Sequence, residues 1–396
     1  MSLFPFPCPA PPDFKVNWQV LDEQFEWIRA MKDCLQDPGF HAEGDVWVHV
    51  RLVCEALASL KNWRDLSDAD RELLFASALL HDVAKPLCTR YEEGRITSRG
   101  HSQRGAIQAR RILWESGVDF EAREQVCALV RYHQAPFYLI NRTDSLRMAF
   151  LISQTARCDL LTLLAKADAL GRKCKDQAEL LDCIDLFREF CGEQQCLDHP
   201  RAFASSLSRF QYFRTDGRDP SYQAHDESKC EVILMSGLPG AGKDTWIRGH
   251  AAHLPHISLD AIRQEIGAEP TGNQGAVIQI ARERARVLLR QGEGFVWNAT
   301  NLSREIRSQL IDLFTAYQAR TRIVYVETTR DRLFIQNQER DNVVPVSAIE
   351  RMMDRWEVPD PIEAPCVEFW ANGEAWVRKS EITRSPTRLT APGPIR

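Results

Sequence analysis

Two patterns of apolar residues divide the chain. From about Val16 to about Cys191, apolar residues recur every three or four positions, which is the spacing of amphipathic helices. After Cys230, short apolar or β-branched runs alternate with helical segments; the runs are EVILMSG, HISLD, GFVWNAT and TRIVYVETT. Strands that alternate with helices predict βαβ units around a parallel sheet. The sequence therefore predicts an all-α domain followed by an α/β domain.

Polar and proline-rich stretches mark the predicted boundaries. The five prolines among the first twelve residues do not fit a helix interior, so residues 1–15 are predicted to form an arm. The helical domain is placed at 16–195 and the α/β domain at 230–372. A basic and aromatic linker at 196–229 joins them, and a Pro-rich tail, which we expect to be disordered, follows at 373–396. A chain of 396 residues is also too long for a single core.

Composition indicates the cellular compartment in which the protein is expected, but it does not indicate the substrate. The twelve cysteines include no CxxC pair, so we interpret them as reduced, small apolar residues. No run approaches the roughly 18 apolar residues of a membrane span, and the N-terminus lacks the features of a signal peptide. We expect a cytoplasmic protein without a membrane partner. A net charge of −5 gives no general attraction to nucleic acid, so polyanions must bind to local basic clusters.

A glycine-rich loop in the second domain is the strongest local signal. In EVILMSGLPGAGKDTW a β-branched strand runs into the loop and a helix follows it. Backbone N–H groups of such a loop converge on phosphates, and its lysine reaches the β- and γ-phosphates. A glycine-rich turn without a ligand is the alternative, and the full context disfavours it. We predict that ATP with Mg²⁺ binds here, at Gly237, Pro239, Gly240, Ala241, Gly242, Lys243, Asp244 and Thr245.

The position after the lysine departs from the motif, which has Ser or Thr there. Asp244 stands at this place and Thr245 follows, an arrangement that resembles adenylate kinase-like phosphotransferases. Which of the two side chains meets Mg²⁺ is left open by the sequence, since Thr245 could contact the α-phosphate instead.

An Asp-x-x-Arg pair follows the second predicted strand. Asp260 and Arg263 lie one helical turn apart, so their side chains face the same way. A carboxylate can accept a hydroxyl proton and an arginine can hold a phosphate; a capping Asp with a solvated Arg is the alternative. Together with the glycine-rich loop and VWNATN, the pair resembles polynucleotide 5′-kinases from about Cys230 to Trp370. The resemblance implies that Asp260 activates the 5′-hydroxyl and that Arg263 grips the neighbouring phosphate.

The segment FIQNQERDNVVPVSAIERMMDRWEVP resembles the arginine-bearing lid of those kinases and the helix after it. By position, Arg340 is the candidate for stabilising the transferring phosphoryl group, with Arg332 or Arg330 as substitutes. Ser347 and Glu350 predict a capping box at the start of the following helix. The predicted catalytic residues of this domain are thus Lys243, Asp260, Arg263 and Arg340.

Imidazoles and carboxylates end or line successive helices of the first domain. A lone histidine on an apolar face is more often a core residue. Here, however, ligand-type residues follow one another along the chain in the order His49, His81-Asp82, His101, His133 and Asp168. Burying so many imidazoles and carboxylates is costly unless they are paired or bind a metal. Their order resembles the HD phosphohydrolase superfamily, especially the HD domains of bacterial tRNA nucleotidyltransferases. That likeness implies two divalent metals. One is held by His49, His81, Asp82 and Asp168, and Asp82, as a catalytic bridge, connects it to a second held by His101 and His133.

Mixed His/Asp ligation suits Mn²⁺, Ni²⁺, Co²⁺, Zn²⁺ or Fe²⁺ better than Mg²⁺, and the sequence does not choose among these five. Two cations can activate a water and clamp a phosphate for in-line attack. Lys85, Arg104 and Arg172 are possible phosphate contacts, or else solvated charges on helix faces. His41 stays unassigned between a place facing the site and a helix cap.

The two halves together resemble the bacterial HD-Pnk RNA end-healing enzymes. The resemblance implies that the HD site removes 2′,3′-cyclic phosphate and 2′-phosphate ends, whereas the P-loop site phosphorylates 5′-hydroxyl ends of RNA or DNA for a downstream RNA ligase. Two alternatives stay open: a nucleotide phosphohydrolase fused to a small-molecule kinase, and a non-catalytic, nucleotide-gated signalling protein. The stretch RAFASSLSRFQYFR either binds RNA through its arginines and aromatics or packs between the domains.

Overall fold

The computed structural model describes residues 2–268, 272, 274–340 and 342–376. Of the predicted tail, residues 377–396 lie outside the described residues. Within the described part of the chain, no single helix is long and apolar enough to span a membrane; one bent pair, Ser145–Ser153 with Cys158–Gly171, passes that test of length and composition only jointly.

The first domain is helical, with one small hairpin. Its helices are α1 (Trp18–Gln24), α2 (Glu26–Arg29), α3 (Val46–Ser59), α4 (Lys61–Arg64), α5 (Asp68–Leu80), α6 (Lys85–Cys88), α7 (His101–Glu115), α8 (Phe120–Tyr132), α9 (Ala135–Tyr138), α10 (Ser145–Ser153), α11 (Cys158–Gly171) and α12 (Gln177–Glu193). Strands β1 (Arg90–Glu92) and β2 (Arg95–Thr97) pair antiparallel, and no apolar pattern in the sequence predicts them.

The N-terminal cap of α3 and the close packing of α3 on α11 position two residues of the candidate metal centre. The carboxylate of Asp45 accepts the N–H of Val48 and so caps α3. α3 packs on α11 so closely that a Cβ on Gly171 would lie 2.7 Å from a methyl group of Val53 and 2.8 Å from its backbone nitrogen. Any larger residue at 171 would push apart the two helices that carry His49 and Asp168. The N-terminal arm packs on this core, with Phe4 and Phe6 buried in it.

The second domain is an α/β layer structure with a mostly parallel sheet, as the alternation of apolar runs predicts. Its strands lie in the order β4–β5–β3–β6–β7–β8; all neighbours are parallel except β8, which is antiparallel to β7. The strands are β3 (Cys230–Ser236), β4 (His256–Ser258), β5 (Phe295–Asn298), β6 (Ala319–Glu327), β7 (Cys366–Ala371) and β8 (Glu374–Trp376). β8 extends the sheet beyond residue 372, where the sequence analysis places the start of the tail.

The remaining helices are α13 (Ser206–Arg214), α14 (Lys243–His250), α15 (Leu259–Glu265), α16 (Gly275–Gln291), α17 (Arg304–Ala316), α18 (Arg330–Gln338) and α19 (Val346–Met353). The predicted capping box at α19 is wrong. The residue that precedes this helix is Pro345, and no side chain caps its N-terminus. Proline fixes φ in the range a helix start needs, so the chain enters the helix one residue before Ser347.

The aromatic residues of the linker are packed. Phe210 of α13 lies in the core of the second domain, whereas Tyr212 lies in the core of the first. Phe203 and Phe213 contact Tyr212 with ring centroids 5.3 and 4.9 Å apart. Stacking on bases needs exposed rings, so these contacts favour the packing interpretation of the RAFASSLSRFQYFR stretch.

The domains meet through α7 and α8 of the first and the end of β6 of the second. The guanidinium of Arg123 donates to both carboxylate oxygens of Glu327, at 3.0 and 2.6 Å, and both side chains are almost fully buried. The indole of Trp114 donates to the carbonyl of Thr328 at 2.9 Å. An apolar cluster across this boundary includes Trp114, Phe120, Tyr325, Trp356 and Phe369.

Candidate metal centre and nucleotide site

Four imidazoles and two carboxylates converge in the first domain. All six side chains are buried. α3 carries His49 and α11 carries Asp168; His81 and Asp82 directly follow α5, His101 is the first residue of α7, and His133 directly follows α8. The chain thus brings together all the residues that sequence analysis predicts as ligands: His49, His81, Asp82, His101, His133 and Asp168.

Asp82 lies between two histidine pairs. Its Oδ2 atom is 3.2 Å from His81 Nε2 and 3.7 Å from His49 Nε2. Its Oδ1 atom is 3.3 Å from His101 Nε2 and 3.8 Å from His133 Nε2. One carboxylate therefore faces two groups of ligand atoms, the arrangement expected of a residue shared by two cations.

Backbone carbonyls fix the orientation of three of these rings. The Nδ1 atoms of His81, His101 and His133 lie 2.7, 2.7 and 2.8 Å from the carbonyls of residues 78, 98 and 130. A carbonyl only accepts, so each Nδ1 carries the hydrogen. In a neutral ring the Nε2 lone pair then faces the centre, the tautomer that metal ligation requires.

The contacts between His101, His133 and Asp82 show why a cation fits. Burial lowers the pKa of His101, and it lowers the pKa of His133 to about 3 with a further contribution from His81, so both rings are neutral at pH 7. Their Nε2 atoms lie 3.4 Å apart. Asp82 Oδ1, which faces both, is buried without a hydrogen-bond donor. Three acceptors without a donor between them repel one another, and a divalent cation satisfies all three.

The carboxylates of the centre are ionised. Burial opposes ionisation of Asp82, but Lys85 and His81 outweigh it and hold its pKa well below the usual range. Burial likewise opposes ionisation of Asp168, whose pKa Arg172 and His49 hold well below the usual range. Burial lowers the pKa of His81, yet the contact with Asp82 raises it overall. A metal at His81 Nε2 would take the place of that proton.

The predicted phosphate contacts divide into two kinds. Lys85 Nζ lies 2.7 Å from Asp82 Oδ2 and donates to Gln36 Oε1 at 2.7 Å, whereas Arg172 donates two hydrogen bonds to Asp168, at 2.9 and 2.8 Å. The side chains of Lys85 and Arg172 are thus both paired with carboxylates of the centre. Arg104 is exposed on α7, one turn after His101.

Sequence reasoning missed Glu43. Its side chain is fully buried, and its Oε1 atom lies 2.9 Å from His49 Nδ1 and 2.8 Å from His41 Nδ1. Its Oε2 atom accepts the N–H of Lys173 at 2.9 Å. Its position six residues before His49 is the only sequence signal, and it follows no helical pattern. Glu43 lies at ion-pair distance from the outer nitrogen of His49, while His49 Nε2 faces the centre.

The glycine-rich loop of the second domain lies between β3 and α14. Gly237 and Gly240 have φ of 144° and 77°, and a Cβ would lie 2.2 Å from the carbonyl oxygen of Val326 and 2.5 Å from that of Leu333, respectively. Only glycine allows this close approach of backbones. The loop thus packs against the end of β6 and against α18. It lies at the carboxyl ends of the parallel strands, where phosphate sites form in α/β sheets.

Lys243, the first residue of α14, folds back on this loop. Its ammonium donates to the carbonyls of Gly237 and Leu238, both at 2.9 Å. Burial lowers its pKa to about 8, Asp244 opposes the shift, and Arg340 adds to it. A phosphate group that accepts from this ammonium would replace the two carbonyls.

Asp260 of α15 lies between two arginines. Arg263 of the same helix forms an ion pair with Oδ1, and Arg340 lies 3.2 Å from Oδ2. The Asp260 side chain is 58% exposed, so it is accessible to a large acceptor. Of the three arginines predicted for the lid, Arg340 is the one that contacts Asp260, whereas Arg330 lies over the ring of Phe334. Arg332 is exposed.

Asp244 and Thr245 have separate partners. Asp244 Oδ1 accepts from the side-chain amide of Asn298, at the end of β5, at 2.7 Å. Thr245 Oγ1 accepts from Arg248 at 3.1 Å. Asp244 therefore connects the loop with the neighbouring strand end, which places an oxygen ligand suitable for Mg²⁺ beside Lys243.

Two family profiles match the chain. The profile described as "HD domain" matches residues 46–173, and the profile AAA_33, described as "AAA domain", matches residues 232–359. The first range contains all six residues of the metal centre. The second contains the glycine-rich loop, Asp260, Arg263 and Arg340.

Known proteins match parts of the chain. The CC-adding tRNA nucleotidyltransferase of Thermus thermophilus is 39% identical over 99 residues, which are 24% of this chain and 22% of that protein. The chain therefore spans about a fifth of the length of this curated relative. Two solved structures are similar: a putative kinase of Chloroflexus aurantiacus (14% identity, TM-score 0.32, 37% of this chain and 87% of that chain) and a gluconokinase of Sinorhizobium meliloti (18%, 0.27, 36% and 84%).

The geometry of the two sites and the comparisons with known proteins agree on the domain organisation of the chain. The helical domain, which matches the HD domain profile, contains a buried His/Asp cluster that could hold a metal, and the α/β domain, which matches the AAA domain profile, contains the glycine-rich loop. The chain is a fusion of an HD domain with a P-loop kinase-like domain.

Proposed function

We propose that the protein repairs broken RNA ends. The HD domain removes 2′,3′-cyclic phosphate and 2′-phosphate ends, and the P-loop domain transfers the γ-phosphate of ATP to 5′-hydroxyl ends. Ribonuclease breaks leave these two kinds of end together, and a ligase needs both to be converted. The observation that carries the proposal is that one chain combines a two-metal type of His/Asp centre with a phosphate loop and the Asp260–Arg263–Arg340 group.

In the HD domain the protein's own side chains hold and orient the centre. Bound divalent cations would supply Lewis-acid chemistry at the phosphate. Asp82 faces both sets of ligands, and Lys85 keeps it ionised. Arg172 orients Asp168, and Glu43 orients His49. These pairs keep the ligands in place, since buried partners limit the rotation of the side chains they bind.

In the kinase domain Asp260 is the proposed base for the 5′-hydroxyl. A half-exposed carboxylate can accept the proton as the hydroxyl attacks. Arg263 then holds the neighbouring phosphate of the polynucleotide, and Arg340 stabilises the transferring phosphoryl group. Lys243 contacts the β- and γ-phosphates of ATP, which would carry Mg²⁺ beside Asp244.

Analysis of the ends of a cleaved RNA tests the proposal. The purified chain is incubated with ATP, Mg²⁺ and a panel of divalent metals, using RNA that carries a cyclic phosphate and a 5′-hydroxyl. We expect 2′,3′-hydroxyl ends and 5′-phosphate ends to form. Asp260→Ala should lower 5′ labelling by a factor on the order of 10² to 10⁴ while 3′-end processing persists. Asp182, exposed on α12, provides the matched Asp182→Ala control.

Other outcomes identify other functions. Phosphorylation of nucleosides or sugars but not of oligonucleotides would indicate a small-molecule kinase. Tight ATP binding without turnover would indicate a nucleotide-gated switch. A parallel experiment with a DNA 5′-hydroxyl end decides between RNA and DNA as the acceptor.

A further inference from the structure

The metal centre is flanked by two exposed segments, a loop (residues 34–41) and a hairpin (β1, β2 and the residues that join them). The loop contacts the centre through Gln36, which accepts from Lys85. The hairpin connects Lys85 of α6 to His101 of α7, and the carbonyl of Ser98 accepts from His101 Nδ1. Both segments are therefore anchored on groups that touch Asp82.

The two segments face each other. Thr89 Oγ1 lies 3.6 Å from Cys34 Sγ, which joins the base of the hairpin to the loop. Thr89 Oγ1 also lies 2.8 Å from Ser98 Oγ, so the side chains of this cross-strand pair are on one face. Side chains alternate along a strand, and Tyr91 pairs with Ile96. Tyr91 is therefore on the same face of the hairpin as Thr89, the face toward the loop.

Large apolar side chains are exposed on these segments. Tyr91 is 77% exposed, Leu35 66% and Phe40 55%. Two aromatic rings and one aliphatic side chain left in water beside the candidate metal centre mark a surface that a ligand covers. Among the ring contacts of the described residues, none involves Tyr91 or Phe40.

The hairpin segment at residues 87–104 carries a charge opposite to that of the whole chain. Residues 87–104 contain four arginines and two glutamates, whereas the whole chain has a net charge of −5. Arg99 directly precedes the turn into α7, and Arg104 lies one helical turn after His101, so both are close to the centre along the chain; both are exposed. Aromatics that stack bases, together with arginines that meet phosphates, are the means by which proteins bind single strands.

We propose that this surface, formed by Leu35, Phe40, Tyr91, Arg99 and Arg104, binds the single-stranded RNA that precedes the 3′ end in the HD site. The inference rests on the proposed function and specifies its substrate: an oligonucleotide, with nucleotides upstream of the terminal phosphate stacked on Tyr91 and Phe40. A mononucleotide cyclic phosphate reaches the metal centre without this surface.

Paired substrates test the inference. Hydrolysis of 2′,3′-cyclic AMP and of a ten-nucleotide RNA with a 2′,3′-cyclic phosphate is measured for wild type, Tyr91→Ala and Tyr91→Trp. We expect Tyr91→Ala to lower kcat/KM for the RNA about tenfold, since it removes one base–aromatic stack, with little change for cyclic AMP. Tyr91→Trp, which keeps a stacking ring, should restore the RNA activity. Tyr222→Ala removes an exposed tyrosine of the linker and serves as the control.

Fluorescence anisotropy with a labelled single-stranded RNA measures binding without turnover. Weaker binding by Tyr91→Ala and by Arg99→Ala, the latter with a shallower salt dependence, would support the surface. Equal losses on both substrates, or no loss on either, would overturn it. If wild type processes no RNA end but binds RNA through Tyr91, the proposed function fails and the binding surface stands.

Discussion

Replacing Arg123 by methionine tests how the two domains are held together. The guanidinium donates to both oxygens of Glu327 and to Glu124, and it lies 5.2 Å from the ring centroid of Phe120. Methionine keeps much of the apolar stem but removes the charge. Glu327 then stays buried with the Tyr325 hydroxyl as its remaining side-chain donor.

The expected loss follows from burial. Removing one partner of a buried ion pair costs about 3–5 kcal/mol, because the other charge is left without compensation. Arg123 is 1% exposed, and the Glu327 side chain is 9% exposed, so solvent screens this pair little. Arg123→Met/Glu327→Gln should be less destabilised than the sum of the two single variants, since no buried charge is then unpaired.

Urea unfolding followed by tryptophan fluorescence is a suitable assay, because Trp114 and Trp356 lie at this boundary with ring centroids 5.2 Å apart. A two-domain chain need not unfold in one step, so the free energy is read from the transition these residues report. Arg111→Met is the matched control. Arg111 lies 3.0 Å from Glu115 of its own helix and 3.9 Å from Asp354 across the same boundary. All three side chains are at least a third exposed, so a change within about 0.5 kcal/mol is expected.

Equal effects of Arg123→Met and Arg111→Met would refute this reasoning. Such a result would mean that the buried pair contributes no more than a surface pair. Loss of only the first-domain transition would show that the domains unfold independently despite the contact.

Three further predictions concern the two sites. His81→Ala or Asp82→Ala should eliminate phosphoesterase activity and leave 5′-kinase activity nearly intact, as measured with separate end-labelled substrates; loss of both in a folded variant would contradict independent sites. Glu43→Gln should weaken divalent-metal binding about 10–100-fold, as measured by calorimetric titration; unchanged affinity would remove its orienting role. Because burial lowers the Lys243 pKa to about 8, free protein above that pH has increasingly neutral lysine, whereas bound phosphates favour the ammonium. ATP binding should therefore take up a proton and weaken from pH 7 to pH 9, which calorimetry in buffers of different ionisation enthalpy detects; pH-independent affinity would contradict the shift.

The sequence predicted the fold well where periodicity extends over many residues. Long amphipathic segments gave the helices of the HD domain, and alternating β-branched runs gave the parallel sheet. The three-residue strands β1 and β2 have no such pattern, since their charged and polar residues are largely exposed on both faces. A pairing this short is set by its turn and its anchors, not by an apolar face.

The candidate site shows a similar limit. Histidines and aspartates at helix ends are visible in the sequence because chemistry restricts which residues can serve there. The partners that orient them are harder to recognise. Glu43 reaches His49 from an irregular loop, and the four-residue spacing of Asp168 and Arg172 permits their ion pair without requiring it. Whether a lysine or arginine side chain contacts a phosphate or a neighbouring carboxylate depends on tertiary contacts, which the spacing of residues along the sequence does not encode.

Helix α13 has a consequence for any attempt to study the halves apart. Phe210 and Tyr212, two residues apart, are each part of a different hydrophobic core. A cut before this helix takes an aromatic ring from the helical half, and a cut after it takes one from the kinase half. Every cut near these two residues therefore leaves at least one fragment incomplete, so losses of activity in truncated proteins should be compared with point variants of the full chain.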